Sequence, residues 1–200
     1  MSARKKYIRI LVESAILVAM STVLSLIKIW PMPLGGAVTL LSMLPVCVIS
    51  IRHGIKWGFG AAFVYSVIQL VLGITMDGVL GWGLTPAMLI GCIMFDYIIA
   101  FTVLGLAGAF RVYGEVGIYA GISLAMLARF ISHFLSGYII FKNLEQWQLF
   151  GKLFENKPFL YSFTYNGCYM FPELAFTLTA VVILMRIRFM RKNVFLLEKR

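Results

Sequence analysis

Asp96 is the only Asp, Glu, Lys or Arg in residues 78–110, and Arg129 and His133 interrupt the next long apolar stretch. An ionised side chain at the centre of a bilayer costs roughly 2.5 to 3.5 kcal/mol on insertion scales, so an intramembrane carboxylate is a functional-site hypothesis by default. Carboxylate, imidazole and guanidinium groups set among apolar residues suit the capture of a polar solute. The chain holds no G-x-x-x-x-G-K-[ST] phosphate loop, no H-E-x-x-H and no G-x-S-x-G, so neither ATP-driven work by the first route nor the other two motifs' hydrolytic chemistry is expected of it.

Helical rise places these groups at comparable depth. At about 1.5 Å per residue, Asp96 lies ~16 Å below the outer end of a segment at 85–110; His133 lies ~12 Å and Arg129 ~18 Å below Phe141, and Asn166 ~10 Å below Phe159. Arg129, His133, Gly137 and Phe141 recur every four residues and share one side of their helix, as Ser162, Asn166 and Glu173 do on the next. Tyr97, Tyr138, Phe141, Tyr161 and Tyr165 add aromatic surface, and Trp30, Trp82 and Trp147 are available from loops. A carboxylate beside an aromatic box suits a flat, partly polar cation. Structural roles compete with this reading. Asp96 could pair with Arg129 and staple two helices, Asn166 could bond across helices, and Tyr161 could sit in an interfacial belt. Glu13 and Glu173 are read as structural.

The elements that must position these residues follow from composition. Hydrophobic residues make up 61% of the 200 and charged residues 13%, and the mean hydropathy is +0.92, the profile of an integral membrane protein. Apolar runs predict a single domain, residues 1–200, of six transmembrane helices at approximately 8–29, 37–51, 55–73, 85–110, 116–141 and 159–187, an all-α bundle. The second is short, and the Pro- and Gly-rich stretch 30–36 before it reads as a re-entrant or capping loop. The first segment reads as a span, not a cleaved leader, because no small-x-small cleavage site follows it.

Charge sets the orientation. Most of the 18 Lys and Arg, including Arg4, Lys5, Lys6, Arg9, Arg52, Lys56, Arg111, Arg186 and Arg188, fall on one side, so both termini are expected in the cytoplasm and the protein in the cell membrane. The net charge of +10 is then topological, and no nucleic-acid partner is expected. Cys47, Cys92 and Cys168 lack metal-ligand spacing and read as buried fillers; no metal or cofactor is expected. Small residues recur every four positions at Gly54, Gly58 and Ala62, at Gly117, Gly121 and Ala125, and at Ala15 and Ala19, patterns that let helices approach closely. Ala15 and Ala19, if they face lipid, form a docking strip for another membrane protein.

Taken in order, several blocks resemble a known family: Glu13-Ser14-Ala15, residues 31–45 (PMPLGGAVTLLSMLP), 52–60 (RHGIKWGFG), 96–111 (DYIIAFTVLGLAGAFR), 129–137 (RFISHFLSG) and 161–167 (YSFTYNG). The chain resembles the thiamine-specific substrate-binding (S) components of energy-coupling factor (ECF) vitamin transporters. The resemblance implies an outward-facing, high-affinity thiamine pocket, a transmembrane coupling subunit and two cytoplasmic ATPase subunits as partners, and no enzymatic activity in this chain. The family's acid and Tyr match Asp96 and Tyr97, its His and Gly match His133 and Gly137, and its Tyr and Asn match Tyr161 and Asn166. Its docking Ala-xxx-Ala matches Ala15 and Ala19. Some relatives carry Glu where this chain has Asp96, and Trp where it has Phe141; Trp30, Trp82, Arg129 and Ser162 are further candidates for ligand contact. Rival readings are an S component for riboflavin or biotin, a small membrane enzyme with His133 as base and Asp96 orienting it, and an assembly subunit without a solute.

Overall fold

In hydrocarbon every backbone N–H and C=O must be satisfied within the protein, so long apolar segments become helices. The computed structural model describes residues 3–32, 35–141 and 157–195. Its elements are α1 (Ala3–Leu26), β1 (Lys28–Pro31), β2 (Ala37–Thr39), α2 (Leu44–His53), α3 (Ile55–Thr75), α4, α5 (Gly114–Ile139), α6 (Pro158–Arg186) and a short α7 (Arg188–Asn193). The fourth, α4, starts as α-helix at Pro86–Cys92, widens to π-helix over Ile93–Ile99, returns to α at Ala100–Thr102 and tightens to 3-10 over Val103–Gly108.

Among the described residues, four helical stretches are long and apolar enough to cross a membrane: Ala3–Leu26, Ile55–Thr75, Pro86–Ile139 and Pro158–Arg186. The third contains two of the expected spans, folded back at residues 109–113. Ser132 Oγ donates to the Phe95 carbonyl at 2.5 Å, and farther along a Cβ on Gly121 would collide with the Ala107 carbonyl oxygen. Rising numbers on α5 thus meet falling numbers on α4, and the two are antiparallel.

The expected span at 37–51 is corrected. Only Leu44–His53 is helical, and ten residues rise about 15 Å, half a hydrocarbon thickness. Its start is β2, which pairs antiparallel with β1 in the register Lys28↔Thr39, Trp30↔Val38 and Pro31↔Ala37. The stretch expected as an irregular loop is therefore flanked by a hairpin whose strands satisfy each other's backbone groups. Pro33 and Leu34 lie outside the described residues.

Helices touch where side chains are absent. A Cβ on Gly58 would collide with Ser50, on Gly117 with the Phe110 carbonyl, and on Gly105 would stand 2.7 Å from the Phe59 amide nitrogen; Ala62 and Ala125 are fully buried. Ser50 Oγ donates to the Gly105 carbonyl at 2.5 Å and accepts from the Gly108 amide at 3.0 Å, tying α2 to the tightened end of α4. Gly54, at φ 96°, makes the one-residue turn between α2 and α3 that an L side chain resists. Arg111 covers that turn and donates to the Ile51 and Arg52 carbonyls at 3.3 and 3.2 Å. On α1 only Ser14, Val18, Ser21 and Ser25 are buried, so Ala15 and Ala19 lie exposed on its outer surface.

Candidate functional site

The π-helical stretch of α4 is centred on Asp96. Such wider turns recur at functional sites because they re-aim side chains out of the regular ladder. Here both Asp96 and its neighbour Tyr97 reach one cavity. The Tyr97 ring is fitted against α3 at Gly73, where a Cβ would collide with the phenol.

Asp96 is held by two groups of α5. His133 Nδ1 lies 2.9 Å from Asp96 Oδ1, and Ser136 Oγ donates to Oδ2. A carboxylate acceptor places a proton on Nδ1 and leaves Nε2 as the ring's remaining polar position; Nε2 is buried and has no hydrogen-bond partner among the described residues. The pairing of Asp96 with Arg129, open from sequence, does not occur. The Arg129 guanidinium carbon lies 4.4 Å from the Phe101 ring centroid, one of its nitrogens touches the Met43 sulfur, and its Nε is buried and without a partner among the described residues.

Asn166 is held by protein groups. Its amide nitrogen donates to Ser162 O at 2.9 Å and His133 O at 3.2 Å, and its oxygen accepts from Tyr169 OH at 2.8 Å. Those bonds lock α5 to α6 at the depth of His133. Ser162 belongs to the same lock: it is fully buried, donates to the Phe134 carbonyl at 2.7 Å and does not line the cavity. Gly137 permits the contact, since a Cβ there would collide with Ser162 Oγ.

Aromatic rings form the remaining walls. Trp82 meets Phe141 edge-on at 6.1 Å, Tyr161 stacks on Tyr165 at 6.3 Å, and Tyr165 meets Tyr169 edge-on at 5.7 Å. Of the sequence candidates, Asp96, Tyr97, Trp82, Arg129, His133, Gly137, Phe141, Tyr161, Tyr165 and Asn166 line the cavity. Trp30 does not; it is 52% exposed on β1. Tyr138 packs outward with Phe134 and Phe159, and Trp147 lies outside the described residues.

Several lining groups carry little or no sequence signal. Lys28 of β1 forms an ion pair with Asp77, beyond α3, and the Trp82 indole donates to the Asp77 carbonyl at 3.0 Å. Ser25, Gln69, Thr39, Ser42 and Tyr169 also line the space. Asp77 stands out in the sequence only as the lone acid just before the uncharged run; nothing marks the others. Gly35 packs on the Trp82 ring, and a Cβ on Gly36 would stand 2.8 Å from Tyr165 OH. Gly35 and Gly36, just before β2, thus bear directly on the aromatic wall. Among the described residues no group of three or more His, Cys, Asp or Glu could hold a metal ion.

Fold and site together define a multi-pass helical membrane protein with a polar, aromatic-walled solute cavity inside its bundle. The chain belongs to the thiamine transporter protein (Thia_YuaJ) family, whose model matches residues 11–193. The thiamine transporter ThiT of Bacillus subtilis (strain 168) is 27% identical over 198 residues, covering 92% of each chain. A solved structure of ThiT from Listeria monocytogenes has the same fold, with a TM-score of 0.71 at 20% identity over 93% of this chain and 98% of that one.

Proposed function

We propose that this protein captures thiamine from outside the cell as the substrate-binding subunit of an ECF-type importer. The observation that carries the reading is the Asp96–His133–Ser136 cluster, a partly buried ionisable group set among helices and opening into an aromatic cavity. Thiamine is a flat aminopyrimidine joined to a cationic thiazolium ring. Asp96 would balance that charge or accept from the aminopyrimidine, His133 Nε2 offers a directional partner, and Tyr97, Phe141, Trp82 and Tyr161 offer ring faces. Arg129, itself cationic, also lines the cavity, its guanidinium held over the Phe101 ring.

The rest of the cycle is inferred from the family resemblance and the outer surface. Both termini lie in the cytoplasm, as the basic ends of the helices favour. The exposed Ala15 and Ala19 let a transmembrane coupling subunit approach α1 closely, and two ATPase subunits supply the energy. No covalent step occurs in this chain. The reading is tested by titrating the detergent-purified protein's tryptophan fluorescence with thiamine, riboflavin and biotin. Saturable quenching by thiamine alone supports it; a response to riboflavin or biotin instead overturns the substrate, and silence to all three overturns the capture role.

A further inference from the structure

A second concavity lies outside the bundle, at the basic end of α1, between α1, the end of α2 and Val194. It holds about 1030 Å³ of space, its open side included. Its walls change character along the helix axis. Lys5 and Arg9 stand one turn apart at the basic end, and Ile8, Val12, Ile16 and Leu17 continue upward with Val48 opposite. From Lys5 to Ile16 the axial rise is about 16 Å, close to the depth of one leaflet. The lining includes one acid, Glu13, whose carboxylate pairs with Arg52 and lies 3.4 Å from His53 Nε2. It is turned toward α2, not toward Arg9.

We infer that this groove holds one anionic phospholipid, its phosphate between Lys5 and Arg9 and an acyl chain along Val12 and Ile16. The order of groups, cationic at the leaflet surface and aliphatic above it apart from the Glu13–Arg52 pair, matches a lipid's head and chain. Anionic lipids are drawn to basic juxtamembrane residues, and the groove adds a shaped wall to that attraction. Ala15 and Ala19 do not line it.

Native mass spectrometry of the full-length protein from mixed micelles tests the inference, with phosphatidylglycerol and phosphatidylcholine as probes. One phosphatidylglycerol is expected to remain bound under conditions that strip phosphatidylcholine. Lys5 and Arg9 are exposed, so Lys5→Gln with Arg9→Gln leaves the fold intact and weakens retention by about fivefold for each cation removed. Lys6→Gln, outside the groove, leaves retention unchanged, and Val12→Trp, which fills the wall, lowers it. Equal retention of both lipids, or a Lys6→Gln loss as large as that of the double variant, overturns the site.

Discussion

The carboxylate of Glu173 accepts hydrogen bonds from both the amide of Thr39, at 3.1 Å, and its hydroxyl, at 2.5 Å. Glu173 is 1% exposed and sits on α6, while Thr39 ends β2 and lines the cavity. One buried acid therefore anchors the base of the hairpin whose Gly35 and Gly36 rest on the aromatic wall. Hydrogen bonds to a charged group contribute about 1.5–3 kcal/mol. Glu173→Gln is expected to release thiamine faster and weaken binding by about tenfold, measured by stopped-flow tryptophan fluorescence. Unchanged release kinetics would show that the hairpin needs no such anchor.

Asp96→Asn removes the charge while keeping the volume. The Asn side chain can still meet Ser136 and His133, so helix packing should survive with thermal stability within about 1 kcal/mol of the parent. Thiamine affinity should fall by at least about tenfold, the effect of losing a charge-assisted contact. Affinity within a factor of two of the parent, by titration calorimetry, would remove Asp96 from ligand recognition.

Gly137 and Gly60 make a contrasting pair. A Cβ on Gly137 collides with Ser162 Oγ and stands 3.2 Å from Asn166 Nδ2, whereas one on Gly60 meets nothing within 4 Å. Gly137→Ala should wedge α5 from α6 at the depth of His133, costing about 1–3 kcal/mol and weakening thiamine binding. Gly60→Ala, in a helix interior, should be neutral or gain up to about 1 kcal/mol. Thermal unfolding of both variants in the same detergent checks the ranking.

Ala15→Trp and Ala19→Trp place bulk on the outer face of α1, away from the cavity. Thiamine binding by the purified protein should stay as in the parent while uptake by cells falls to background. Uptake at the parental rate would move the docking strip elsewhere.

The sequence by itself determined the class and the layer of the site. Apolar runs of hydrocarbon length leave the backbone no choice but helix, and helical rise converts residue number into depth, so Asp96, His133, Arg129 and Asn166 fall at similar levels on residue number alone. The four-residue recurrence of Gly58 and Ala62, and of Gly117, Gly121 and Ala125, likewise marks internal contacts, because only small residues let helix backbones meet.

Partnership was decided by tertiary structure. Depth says nothing of rotation about the helix axis, and the π-helical widening over Ile93–Ile99 shifts the faces that regular periodicity would assign. That is why helical periodicity does not tell that Asp96 meets His133 and Ser136 instead of Arg129, or that Ser162 supports the site from behind. The hairpin and the Lys28–Asp77 pair were equally hidden. The pair joins residues 49 apart in the chain, and a two-stranded ribbon this short is marginal alone, so the hairpin leans on Glu173 and the aromatic wall.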